Sequence, residues 1–146
     1  RKPYVDNRWP DTFVEIHPDD AAAHGIESGD EVRMFSDDIL IQTKGWNKVK
    51  GNEISFTWLM ENGYIRVGSG EAQAVAIVTD ATPPGLLFTN FLWPSSPANS
   101  LVHRVPDPIT NRYRFKLGKA QLERLGESAF KNDPRFMSFK PRDVGI

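Results

Sequence analysis

Apolar and polar positions along this chain change phase every few residues, and glycines and prolines fall between the short apolar runs. Thr12-Phe13-Val14-Glu15-Ile16 alternates with the period of two expected of a half-buried strand. His17-Pro18-Asp19-Asp20-Ala21-Ala22-Ala23-His24-Gly25 predicts one short helix. Pro18 suits its first turn, the two aspartates meet the positive end of the dipole, and Gly25 stops it. Ser28-Gly29-Asp30 follows as a tight turn with Gly29 at positive φ. Residues 31–35 alternate as the next strand, Ser36-Asp37-Asp38 carries turn chemistry, and Ile39-Leu40-Ile41-Gln42-Thr43 completes a predicted hairpin.

After a loop containing Gly45, Asn47, Gly51 and Asn52, residues 53–60 and 64–67 read as two strands around Asn62-Gly63. That dipeptide is the strongest short-range hairpin signal in the chain. Gly68-Ser69-Gly70 is expected to end the second of these strands, and residues 73–79 form a nearly continuous apolar run suited to a buried strand. Pro83-Pro84-Gly85 makes a rigid turn before a strand over residues 86–91. Residues 92–111, rich in Pro, Ser and Asn, predict an ordered loop; residues 113–122 suit a last strand or a short helix equally. From residue 126 the chain is polar, with Pro134 and Pro141. The expected division is therefore a domain over residues 1–125 and a surface-wrapping tail over 126–146. Many short strands with one small helix predict a mainly β fold. A closed or nearly closed barrel follows, because closure removes exposed strand edges.

Composition narrows the function classes. At 146 residues, with 39% hydrophobic and 25% charged positions, the chain is long and apolar enough for one domain with a real core. A net charge of −1 supplies no global basic field for nucleic acid or anionic lipid. No apolar run approaches the roughly 20 residues of a membrane-spanning helix. The chain opens on Arg1 without a signal peptide and is expected to be a piece of a longer polypeptide or a processed product. With no cysteine, it can hold no disulfide, Cys-ligated zinc or iron–sulfur cluster. His17, His24 and His103 are scattered without ligand spacing and read as surface or capping residues.

No GxSxG elbow, Walker loop, HExxH, EF-hand loop or GxGxxG is present, and nothing pairs a nucleophile with a base. Asp19-Asp20 and Asp37-Asp38 are explained by capping and turn chemistry. The stretch from residue 92 to 119 stands out, with Trp93, Asn99, Ser100, His103, Arg104, Asn111, Arg112, Arg114, Lys116 and Lys119. Amides can read the edge of a polar heterocycle, while Arg and Lys answer phosphate charge. A solvated basic surface explains the same residues equally well on their chemistry alone.

Taken together, His17-Pro18-Asp19-Asp20-Ala21, Gly25-Ile26, Ser28-Gly29-Asp30 and Val32 resemble a known opening motif. It belongs to the C-terminal, molybdopterin dinucleotide-binding domain of the dimethyl sulfoxide reductase family, where it leads into a double-psi β-barrel. Pro97-Ala98-Asn99-Ser100-Leu101 resembles that family's N-x-Leu-Thr stretch, although His103 follows here where a Thr would stand nearer by. Arg114-Phe115-Lys116 resembles its aromatic-Lys pair before the last strand. The similarity runs from about Val14 to about Leu125, and its wording is closest to the arsenite oxidase branch, with the iodate reductases related.

The resemblance implies a module and not a whole enzyme. Such a domain covers one face of a molybdenum bis(molybdopterin guanine dinucleotide), shared with other domains of the parent chain, and the iron–sulfur cluster lies outside it. Asn99, Ser100 and Lys116 are the implied cofactor contacts, Trp93 would wall the pterin, and Arg112 and Arg114 would answer phosphates. No catalytic residue and no metal ligand is expected here. The implied partners are the remaining domains of a large subunit and a small Rieske-type iron–sulfur subunit, in the periplasm. An alternative from another class is a non-enzymatic barrel of the same fold, serving as an interaction or substrate-recognition module.

Overall fold

The structure, a computed structural model, describes residues 9–46, 49, 55–91, 94–107, 110, 112, 113 and 117–137. Its strands are β1 (Phe13–Ile16), β2 (Asp30–Gln42), β3 (Ile65–Val78), β4 (Leu87–Thr89) and β5 (Gln121–Glu127). Two short helices, α1 (Pro18–Ala23) and α2 (Phe56–Glu61), and 3-10 turns at Ala98–Leu101 and Pro134–Phe136 complete the order. The fold is mainly β, with one mixed sheet in the order β4-β1-β3-β2-β5. β1 runs parallel to β3, Phe13 opposite Val75 and Ile16 opposite Val78. It runs antiparallel to β4, Val14 opposite Thr89. Among the described residues the sheet is open, with β4 and β5 at its edges.

The opening of the chain folds as its sequence predicts. His17 caps α1 through Nδ1, which accepts from the Asp19 amide at 3.2 Å. Gly29 has φ +85, donates its N–H to the Ala76 carbonyl at 2.8 Å, and lies so close to Lys131 that a Cβ would strike the Lys131 carbonyl. Ala74, Val75, Ala76 and Ile77 are buried on both faces of β3, which is why that run lacks the alternation of a half-buried strand.

Elsewhere tertiary context overrides local signals. The predicted hairpin around Asp37-Asp38 is one 13-residue strand, β2. Val32, Met34 and Ser36 point inward, two exposed aspartates follow, and Ile39 is buried again, a one-residue slip of the kind a bulge makes. Asn62-Gly63 ends a helix instead of turning a hairpin. Ser55 Oγ accepts from the Trp58 amide at 3.1 Å, the Asn62 side chain donates to the Trp58 carbonyl at 2.9 Å, and Gly63 takes φ +73. A helix end and a two-residue hairpin both ask for a positive φ, so the dipeptide alone cannot distinguish them. Gly68 and Gly70 lie inside the 14-residue β3 rather than at its end. The last strand is Gln121–Glu127, which takes in only the last two residues of the run 113–122.

Backbone contacts divide the chain into two compact units. The first comprises Arg1–Met34, Ala72–Ala98 and Leu122–Ile146. Its core holds Phe13, Val75, Ile77 and Phe136, with Trp9 and Phe130 packed against them. The polar C-terminal region thus sends one ring, Phe136, fully inside. The second unit comprises Phe35–Glu71 and Asn99–Gln121. There Leu59, Ile65 and Val105 are buried under Leu40, Trp46, Trp58 and Tyr64, with Trp58 stacked on Tyr64 at 5.6 Å.

Candidate functional site

Within the second unit, Asn99 and Ser100 occupy a single 3-10 turn, Ala98–Leu101. Leu101 is buried, and Asn99 is exposed with no side-chain hydrogen bond among the described residues. The turn is fixed from two sides by glycines. A Cβ on Gly70 would land on the Ser100 carbonyl, and one on Gly118 would land on the Leu101 carbonyl. Close backbone approach of this kind is a reason for glycine inside a strand. The Ser100 hydroxyl donates to the Glu71 carbonyl, and the Arg104 guanidinium reaches the Ser100 carbonyl at 3.4 Å. Ser100 therefore anchors the turn, and Asn99 is the residue the turn presents.

The chain leaving this turn is laced to β2. Arg104 N donates to the Leu40 carbonyl at 2.8 Å, Gln42 N donates to the Arg104 carbonyl at 3.1 Å, and the Leu40 amide donates to His103 Nδ1 at 3.0 Å. His103 is thereby a structural acceptor. Arg112 stands on a separate loop, closed by Asp107 N donating to the Arg112 carbonyl at 2.8 Å and by a bridge between Pro106 and Tyr113. Its side chain is exposed, and among the described residues no hydrogen bond joins it to the Asn99 turn. Trp93, Arg114 and Lys116 lie outside the described residues.

In the first unit, the Ser96 hydroxyl accepts from the Gln73 amide at 2.6 Å and donates to the Gln73 carbonyl. The recess beside it, about 160 Å³, is lined by Asp11, Glu31, Gln73 and Ser95 among others. Two carboxylates make it a poor place for phosphate. A wider, shallow groove of about 500 Å³ beside α1 is lined by Pro18, Ala21, Ile26 and Val78 among others and contains none of the sequence-predicted residues. One polar residue went unnoticed in the sequence. Asn90 is 9% exposed, and among the described residues neither its amide nitrogen nor its oxygen has a partner; the buried Thr12 hydroxyl likewise has none there. The available signal was a single amide in the apolar run from Leu86 to Phe91.

Residues 1–44 match the profile of the molydopterin dinucleotide binding domain. Over 144 residues, 99% of its length, the chain is 46% identical to the iodate reductase subunit IdrA of Denitromonas iodatirespirans. It is 45% identical over the same length to the iodate reductase subunit IdrA of Pseudomonas sp. (strain SCT). The chain belongs to the molybdopterin dinucleotide-binding domains of the dimethyl sulfoxide reductase family. It spans 16% of the length of each of these relatives. The chemistry of the groups described fits a molybdenum–pterin dinucleotide. An outward amide at Asn99 both donates and accepts, and exposed guanidinium groups at Arg104 and Arg112 suit phosphate. No helix among the described residues is long and apolar enough to cross a membrane.

Proposed function

We propose that this chain is the C-terminal cofactor-binding domain of a molybdenum oxidoreductase that acts on oxyanions, of the arsenite oxidase and iodate reductase type. Its ligand is bis(molybdopterin guanine dinucleotide), shared with the other domains of the parent chain, and its fold closes as a double-psi barrel. The observation that carries the reading is the Asn99 turn: a backbone approached closely by Gly70 and Gly118 that leaves one amide exposed and, among the described residues, unpaired. Bound, the cofactor supplies the redox chemistry. Asn99 orients it by donating to and accepting from one polar ring edge, and Ser100 and Arg104 hold the turn that aims Asn99. Arg112 adds positive charge for phosphate, and Trp93, Arg114 and Lys116 complete the reading as a pterin wall and further cationic contacts. The identity to iodate reductase subunits over nearly the whole chain supports an oxyanion substrate for the parent. A Rieske-type partner subunit and a periplasmic location belong to the same proposal.

The test is Asn99→Leu in the full-length polypeptide, with molybdenum per chain and thermal stability measured on one sample. Loss of the hydrogen bonds leaves polar cofactor atoms unpaired, a penalty of about 1–3 kcal/mol. Molybdenum content is expected to fall at an unchanged Tm. Full loading would remove Asn99 from the site. Assay of the wild-type polypeptide with arsenite and with iodate decides the substrate.

A further inference from the structure

The segment that follows the Asn99 turn is tied to β2 by main-chain bonds and by a side chain. Arg104 N donates to the Leu40 carbonyl, Gln42 N donates to the Arg104 carbonyl, and Ile41 bridges Arg104 in parallel register. Main-chain bonds of this kind do not depend on which side chains meet, and a slip by two residues would satisfy them equally. Leu101 and Val105 are buried on either side, but apolar burial has no direction and holds the segment down without fixing its place along the strand. The bond from the Leu40 amide to His103 Nδ1, at 3.0 Å across 63 positions of sequence, is different in kind. It is directional, it needs an acceptor at this distance from Cα, and both residues are half-buried, where water competes less. With Nδ1 accepting from a main-chain N–H, the neutral ring carries its proton on Nε2. The next residue faces the other way: the Arg104 guanidinium reaches back to the Ser100 carbonyl at 3.4 Å.

We infer that His103 is a positioning residue for the cofactor: by accepting from the Leu40 amide it sets the register of residues 99–104 on β2, and with it the place where Asn99 is presented. The inference rests on the reading of Asn99 as a cofactor contact. A slip of two residues along a strand is about 6.6 Å, which carries an amide out of hydrogen-bond reach of any ligand it had met. The close approach of Gly70 and the Glu71 carbonyl hold the front of the turn, at Ser100. His103 holds its rear, and Arg104 transmits that position back to Ser100. His103 itself meets no ligand in this account.

The experiment compares His103→Phe, His103→Asn and His103→Gln in the full-length polypeptide, reading molybdenum per chain, Tm, and hydrogen–deuterium exchange resolved to single amides. Phenylalanine keeps a ring and removes the acceptor. Asparagine Oδ1 lies as many bonds from Cα as Nδ1 does, and glutamine Oε1 lies one bond further. In His103→Phe the Leu40, Gln42 and Arg104 amides are expected to exchange roughly tenfold faster, and molybdenum per chain to fall several-fold. His103→Asn is expected to restore both protection and loading, and His103→Gln neither. Faster exchange at Leu40 alone would make His103 a local cap and overturn the inference. Wild-type loading in His103→Phe overturns it as well, as does a failure of asparagine to restore more than glutamine. Should His103→Phe unfold outright, the asparagine–glutamine difference decides. Asn99→Leu in the same series separates the two readings. Full loading there strikes the assignment of Asn99; low loading there with full loading in His103→Phe strikes the role of His103 alone.

Discussion

Asp30 has no exposed side-chain surface, and its carboxylate accepts from Arg124 Nε at 2.7 Å across 94 positions of sequence. Lys131 Nζ bonds the other oxygen at 2.7 Å, and the Glu27 amide adds a third donor at 2.9 Å. β5 and the segment after it are thereby fastened to the turn that follows α1. Ser128 reinforces the same join, its hydroxyl donating to the Gly29 carbonyl at 2.7 Å.

This cluster makes stability depend on pH at the acid end. Burial alone would push the Asp30 carboxyl up, but hydrogen bonds from Arg124 and Lys131 outweigh it and hold the pKa at about 2. A depressed carboxylate contributes stability that is fully present above its unfolded value near 4 and is lost as pH falls toward 2. The contribution is about 2 kcal/mol. Asp30→Asn is expected to destabilise at neutral pH by a similar amount and to flatten the part of the pH–stability curve between about 4 and 2 that this carboxylate causes. Denaturant melts of the wild-type and variant polypeptides across that range check it.

Gly29→Val tests the turn itself. Positive φ strains a β-branched residue, and the new side chain would collide with the Lys131 backbone. A loss of at least about 1 kcal/mol is expected. An unchanged Tm would show that the position is ordinary.

Phe136→Ala removes a ring that has no exposed surface and packs with Phe13, Val75 and Ile77. A loss of about 3–5 kcal/mol is expected, together with faster proteolysis of the region beyond residue 127. Limited proteolysis with mass readout checks both. Retention of wild-type resistance would make the 3-10 turn at Pro134–Phe136 dispensable.

Gly70→Ala and Ser100→Ala separate positioning from contact. The alanine methyl at position 70 would push on the Ser100 carbonyl and displace the turn that presents Asn99, so molybdenum content is expected to fall although residue 70 is not among the proposed contacts. Ser100→Ala removes one hydrogen bond to the Glu71 carbonyl, worth about 1 kcal/mol, and is expected to lower loading less. Equal, full loading in both variants would detach the turn from cofactor binding.

What the sequence determined by itself was local. The alternation over Phe13–Ile16, the capped helix at Pro18–Ala23 and the positive φ at Gly29 rest on neighbours a few residues apart, where side-chain period and backbone angle suffice. The buried run in β3 was legible for the same reason, since a strand covered on both faces needs no alternation.

Only the tertiary structure decided the rest. Asp37-Asp38 has turn chemistry, yet the ladder of β2 carries the chain straight through it. Asn62-Gly63 supplies a positive φ that a helix end uses as readily as a hairpin does. Gly70 looks like the end of a strand until the turn carrying Asn99 is seen to rest on it, and Ser100 becomes an anchor once the Glu71 carbonyl is beside it. Asp30 reads as half of a turn signal; its partners Arg124 and Lys131 lie about a hundred positions away and meet it only when the sheet forms. Local signals specify backbone angles and faces, whereas pairing partners at long range depend on closure of the chain, which no window of neighbouring residues contains.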